Sequence, residues 1–272
     1  QIARNIMSRN QILELAEDNW QTEMGAAFPG ERVVFRGKDL FEELGDLTWF
    51  QYLMFGITGK KFSNNEIALI EAIWSLTVSY PDPRLWNNRV AALAGTANST
   101  GILGTSAAIA CSEASIYGNQ INIQSIDFIK RATIHELSEK PLLDLIKNEL
   151  KQKRIIPGYG RPIVQHDERR QPLINKATQL NLASGNHFKT AIKIDELLQT
   201  TKYRMQINAS GLAAALMADI GLSNREHYYC SLLAFSAGII PCHIDASEHK
   251  EGTFFPLQCN RINYTGNEKR HW

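Results

Sequence analysis

Between residues 157 and 170 the chain places a Pro157-Gly158-Tyr159-Gly160 turn, followed by Arg161, His166, Asp167, Glu168, Arg169 and Arg170. Each residue type has a definite capability. Arg161 is permanently protonated, so it can hydrogen-bond an oxyanion, a carboxylate or a phosphate but cannot shuttle a proton. His166 titrates near neutral pH when unperturbed and is the nearest candidate base. Arg169 and Arg170 are paired cations, and a guanidinium can clamp a carboxylate through two parallel bonds. Plainer roles stand beside these: a tight turn between helices, a surface salt bridge, an exposed loop imidazole and solvated charge.

Asn208 sits just before an apolar helix, with Ser210 two positions on. Either could cap that helix, and Asn208 could instead hydrogen-bond a ligand. Asn119, Gln120 and Asn122 form a polar cluster after a small-residue helix. They could bind a carbonyl or solvate a helix end. Cys242, His243 and Asp245 invite thoughts of a nucleophile or a metal. Adjacent residues rarely face one another, and no second ligand pair has zinc spacing, so we expect a structural role and no metal site.

The elements that must position these groups read as helices almost throughout. Helical segments are expected over 10–18, over Leu47 to Phe55 with a stop at Gly56, and from Asn64-Asn65-Glu66 to the Tyr80-Pro81-Asp82-Pro83 break. Trp49 and Trp74 lie on apolar faces and read as core. Residues 86–117 are rich in Ala, Gly, Ser and Thr, which predicts a buried hairpin of closely packed helices. Further helices are expected from Pro141 to Lys151 and over 172–182, 207–220 and 225–240, with Gly221 as a C-cap and Ser223 or Asn224 as the next N-cap. Val33-Val34-Phe35 is the one convincing strand.

With 272 residues, 44% apolar and 21% charged, most of the chain is too apolar to be disordered. Lys plus Arg (29) nearly balances Asp plus Glu (28), so charge makes no case for nucleic acid or an anionic membrane as partner. No uninterrupted apolar run reaches the roughly 18 residues of a membrane span. The start, at Gln1 rather than Met, shows no signal-peptide apolar stretch, and Met7 could be an original start. Cys111, Cys230, Cys242 and Cys259 are widely spaced with no CxxC, which suits reduced thiols in a cytoplasmic protein.

Several segments, in one order, resemble the citrate synthase family. Gly30-Glu31-Arg32-Val33-Val34-Phe35-Arg36-Gly37-Lys38-Asp39-Leu40 resembles that family's G-x-x-x-Y-R-G-Y-D-I, and Leu47 to Gly56 is similar to its next helix. Pro157-Gly158-Tyr159-Gly160 with Asp167-Glu168-Arg169-Arg170 resembles P-G-F-G-H…D-P-R. Ile207 to Leu212 sits where the family starts a helix with D-x-x-S-G-like or N-A-D-G-like residues. Asn263-Tyr264-Thr265-Gly266-Asn267-Glu268-Lys269-Arg270 resembles the final L-Y-T-G-x-E-K-R. The length is similar to the short, citryl-CoA lyase-like branch.

The resemblance implies an all-α fold with a large helical domain and a small helical subdomain. It implies a homodimer with shared active sites, a coenzyme A thioester as co-substrate and a 2-oxo acid as partner substrate, with no covalently bound cofactor. An N-terminal arm would cover 1–29, the large domain 30–124 and 206–272, and the small subdomain 125–205. Pro157, Gly158, Tyr159 and Gly160 would wrap the adenine of coenzyme A. Arg170 falls on the Arg of D-P-R, which the resemblance assigns to substrate carboxylate, and Arg261 on the second Arg of a terminal R-P-R.

The rest departs from the family. Its loop histidine falls on Arg161, and the window 118–122, which should hold the histidine of G-x-x-H-G-G, has none. The catalytic aspartate falls on Ile207 or Asn208. A substrate-binding histidine falls among Val78, Ser79 and Tyr80, and two arginines fall on Ser236 and Cys259. Losing a general base alone removes about 10² to 10⁴ in rate. Three readings follow: a divergent enzyme making or breaking a carbon–carbon bond beside an acyl-CoA carbonyl, with Arg161, His166 and Asn208 as its groups; a catalytically silent binding or partner subunit; or new chemistry without coenzyme A, through His166 or a cysteine.

Overall fold

Apolar residues recur at helical spacing along most of the chain, and the breaks fall on glycines, prolines and capping residues. The computed structural model describes residues 8–77, 80–116, 118–161, 164 and 166–268. Val78, Ser79, Lys269 and Arg270 lie outside the described residues. The chain divides into two compact units, 1–62 and 63–272. Helices dominate the second unit, as expected for an all-α fold, and the first carries two helices and a small sheet.

In the first unit, α1 (Arg9–Ala16) opens with a reciprocal Ser8–Gln11 capping box. A small antiparallel sheet follows, β1 (Gly25–Phe28), β2 (Arg32–Phe35) and β3 (Lys38–Asp39), with Gly25 opposite Phe35 and Phe35 opposite Lys38. Only β2 is visible in the sequence, because Gly-Ala-Ala-Phe has low strand propensity and β1 is exposed along its length. Helix α2 (Trp49–Thr58) is capped by Thr48 and runs past Gly56 to Gly59, at φ +73°. Gly56 makes room instead of ending the helix: a Cβ there would lie 2.7 Å from Phe35 Cζ. Phe35 packs on Tyr52 and, edge-on, on Phe55, with ring centroids 4.8 and 5.5 Å away. Trp49 is exposed, contrary to expectation; it occupies the first turn, and Phe50, Met54 and Phe55 take the buried positions.

The second unit runs through α3 (Asn64–Thr77), α4 (Trp86–Thr96), α5 (Gly101–Cys111), α6 (Asn119–Leu137), α7 (Leu142–Lys153), α8 (Arg170–Gln179), α9 (Asn186–Gln199), α10 (Ala209–Asp219), α11 (Asn224–Ser231) and α12 (Ser236–Glu248). Helix α10 is its axis. Ala209 and every residue from Gly211 to Ala218 are buried, against α3, α6, α8 and α9. Helices α4 and α5 form the expected hairpin, closed by α12 through Ala91, Ala92, Ala108, Ile239, Cys242 and Ala246. Small residues permit this: a Cβ on Gly104 would lie 2.6 Å from His243 Cδ2, and one on Gly95 would strike the His243 carbonyl. His243 itself meets the Ser99 carbonyl at 3.2 Å, a structural contact.

The hairpin is not wholly buried, however, since Ile102 and Leu103 on α5 are 81% and 64% exposed. The expected helix over 225–240 is two helices, and α12 continues through Pro241 to Glu248. Asn224–Glu248 is the one stretch among the described residues with the length and apolarity of a membrane span; it divides at 232–235, and α12 packs on α4 and α5. The sequence reading does not delimit α9, for a clear reason. Its N-cap is Gly185, and the capping acceptor is Asp219 at the far end of α10, which takes the amides of His187 and Phe188 at 2.9 Å.

His227, on α11, is buried with neither ring nitrogen hydrogen-bonded among the described residues. Burial, with the Lys130 cation nearby, lowers its pKa from 6.5 to about 4. The unfolded chain therefore takes up this proton first as pH falls. The stabilisation is complete above pH 6.5 and disappears progressively down to about pH 4. The shift corresponds to roughly 3 kcal/mol. Urea unfolding at neutral pH and near pH 4 should show the wild type losing about that much more stability than His227→Leu. Equal losses in the two proteins would contradict it.

Candidate functional site

The Pro157–Gly160 turn lies against the start of α10. Pro157, Gly158 and Tyr159 are buried. The Gly160 amide donates to the Gln206 carbonyl at 2.7 Å, and the Asn208 amide donates to the Gly158 carbonyl at 2.9 Å. Tyr159 and Ile207 thus form an isolated antiparallel bridge. Gly158 and Gly160 hold φ of +85° and +82°, where side chains are strained. Gly158 also needs its missing side chain: a Cβ would lie 2.7 Å from Gly211 Cα, and a Cβ on Gly211 would collide with the Gly158 carbonyl. The Tyr159 hydroxyl donates to the Ala191 carbonyl at 2.9 Å. Burial and then the Asp195 carboxylate hold that phenol well above its ordinary range.

Two buried acids hold the same segment from the other side. Asp195 Oδ1 accepts the Ile207 amide at 2.6 Å, and Asp167 Oδ2 accepts the Ala209 amide at 2.8 Å. Both side chains are 1% exposed, and each has a guanidinium partner. Arg170 reaches Asp195 Oδ2 at 2.5 Å. Arg169 grips both Asp167 oxygens at 2.8 Å and donates to the Thr77 carbonyl at 2.8 Å. Burial alone would raise the Asp167 carboxyl; Arg169 and the Ala209 amide outweigh it and bring the pKa to about 2.

Asn208 occupies the N-cap of α10. Its side-chain oxygen accepts the Gly211 amide at 3.1 Å, and its nitrogen donates to the Gly160 carbonyl at 2.9 Å. Asn119 and Asn122, in the first turn of α6, reach the same place through neutral groups. Asn122 Nδ2 donates to Asn119 Oδ1 at 3.1 Å, and Ser210 donates to Asn122 Oδ1 at 2.9 Å. Ser125 lies 3.3 Å from Ser210. Gln120 turns away and bonds Glu113.

Arg161 bonds Glu168 at 2.5 Å and the His166 carbonyl at 3.2 Å. His166 is exposed. Arg261 is exposed in the Cys259–Arg261 turn of the tail, and among the described residues no hydrogen bond or ion pair ties it to this cluster.

In the sequence Asp167 and Gly211 stand out only as parts of motifs, and Asp195 and Ser125 do not stand out at all. A signal exists for Asp195. On α9 the buried residues Phe188, Ala191, Ile194, Asp195 and Leu198 follow helical spacing, so one acid shares the core stripe.

No family model and no curated protein matches the chain. Its backbone does match solved structures. Citryl-CoA lyase from Hydrogenobacter thermophilus aligns with a TM-score of 0.80 at 21% identity, over 93% of this chain and 97% of that one. The chain has a citrate synthase-like fold. ATP citrate lyase from Methanothrix soehngenii, solved with citrate and coenzyme A, aligns at TM-score 0.73 and 20% identity, over 99% of this chain but 46% of that one. The citrate synthase of Thermotoga maritima gives 0.63 and 15%, over 84% of this chain and 60% of that one. This citrate synthase-like chain therefore spans nearly the whole of the lyase and less than half of the ATP-dependent enzyme.

Removing one buried carboxylate should show what this scaffold rests on. Asp195→Ala strands the Arg170 guanidinium and the Ile207 amide, so urea unfolding should give a loss of about 3 to 5 kcal/mol. Asp195→Asn keeps an acceptor and should lose less. A loss under about 1 kcal/mol for the alanine variant would contradict the assignment.

Proposed function

We propose that this chain binds a coenzyme A thioester against the Pro157–Gly160 turn and acts on a carbon–carbon bond beside a carbonyl. Its second ligand would be a carboxylic acid. The observation that carries this is the turn itself: buried, left-handed at both glycines and clamped to α10. The neighbours support the ligand classes, since citryl-CoA lyase and a citrate- and coenzyme A-bound ATP citrate lyase share the fold.

The reaction must differ from ordinary citrate synthesis. Asn208 has no basicity and is engaged on both amide atoms. Arg161 can supply fixed positive charge to a developing oxyanion or a carboxylate but no proton. His166, whose backbone carbonyl accepts from Arg161, is the replacement base this reading offers. Arg169 and Arg170 are each held by a buried carboxylate, so the substrate-carboxylate role that the resemblance gives Arg170 does not fall to either. Asn119 and Asn122 then serve as neutral donors beside Ser210. The small subdomain over 125–205 is part of this reading. So is a homodimer, supported by exposed Ile102 and Leu103 on α5 and by the exposed tail that carries Arg261.

A second reading, a partner subunit that binds coenzyme A without turnover, is favoured by the internally satisfied Asn208.

Calorimetric titration with coenzyme A and acetyl-CoA tests the shared claim. Micromolar binding is expected. Gly158→Ala forces a strained conformation costing about 1 to 3 kcal/mol and should weaken it about tenfold or more. No binding at millimolar ligand would overturn both readings. Given binding, turnover of any acyl-CoA and oxo-acid pair would exclude the second.

A further inference from the structure

The guanidinium groups of the 161–170 stretch differ in what neutralises them. Arg169 and Arg170 each face a carboxylate that is 1% exposed, Asp167 and Asp195. Opening either pair would strand a buried charge. Arg161 faces Glu168, whose side chain is 61% exposed. Among the described residues its other polar contacts are the His166 carbonyl at 3.2 Å and Asp167 at 3.8 Å. Asp167 is no competitor for it, since Arg169 and the Ala209 amide already take both its oxygens.

An exposed ion pair contributes little net free energy and is screened by salt. A second carboxylate can therefore exchange with Glu168 at low cost, while Arg161 keeps a charge-assisted bond throughout. The position suits a ligand. Arg161 follows Gly160 directly, and the Gly160 carbonyl is held by Asn208 at the start of α10.

We propose that Glu168 is a built-in stand-in for a ligand carboxylate, and that an acidic ligand binds Arg161 by displacing it. This rests on the reading of 157–161 as a ligand site. It makes Arg161 the carboxylate-binding residue and Glu168 the residue that sets affinity for the acid. No bond is made or broken in the exchange: one carboxylate replaces another on the same guanidinium, and Glu168 moves into water.

The test is calorimetric titration of citrate into the wild type, Glu168→Ala and the double variant Arg161→Gln/Glu168→Ala, with inorganic phosphate as a comparison anion. At low ionic strength Glu168→Ala should bind citrate up to about fivefold more tightly than the wild type. The gain should shrink with added salt and vanish in the double variant. Unchanged or weaker citrate binding in Glu168→Ala would overturn the proposal, as would no citrate binding in any variant at millimolar concentration. A gain that survives loss of Arg161 would overturn it too, and an equal gain for phosphate would overturn the carboxylate assignment. Coenzyme A is titrated into the same proteins. Absent coenzyme A binding with the citrate gain intact counts against the coenzyme A reading alone, and the reverse counts against this one alone.

Discussion

Successive backbone amides, those of Ile207, Asn208 and Ala209, are held by Asp195, the Gly158 carbonyl and Asp167. The architecture of the site depends on this arrangement. The chain must pass from an extended segment into a largely buried helix, and its amides have no water to turn to. Two carboxylates supply the acceptors, and burying them requires cations. Arg169 and Arg170 supply these at the start of α8. The 157–170 loop is therefore fastened at both ends: by its glycines to α10, and by its acids and arginines to α8, α9 and α10.

The positions where the resemblance looks for a loop histidine and an aspartate are Arg161 and either Ile207 or Asn208; Arg161 carries fixed charge, and Asn208 is held by hydrogen bonds on both amide atoms. Around them lie neutral amides and hydroxyls, Asn119, Asn122, Ser125 and Ser210. Such a site can orient a ligand and stabilise an oxyanion. Its two buried carboxylates, Asp167 and Asp195, are taken up by guanidinium groups and backbone amides, and His166 is exposed.

Much of this is legible in the sequence, and the gaps have physical causes. Ser223, Gly221 and the small-residue hairpin follow from local rules, because capping and close packing are written in neighbouring residues. Gly56 misleads because a helix stop and a close approach to Phe35 call for the same residue. The cap of α9 is invisible because its acceptor, Asp219, comes from another helix. In the site, the Pro157–Gly160 turn and the alternative of Asn208 as an N-cap can be read directly. The pairing of Arg170 with Asp195 cannot, since it joins residues of separate helices. Nor can the difference between Arg161 and its two neighbours, which lies in the burial of their acids and not in their own residue type.

The turn and the start of α10 form one preformed clamp. Amide hydrogen exchange of the free protein at Gly160, Ile207, Asn208 and Ala209 tests it most directly. These amides should exchange only through large-scale unfolding, as slowly as the core of α10. Exchange at the rate of the exposed tail would mean that the clamp is open in the free protein, and the account built on it would fail.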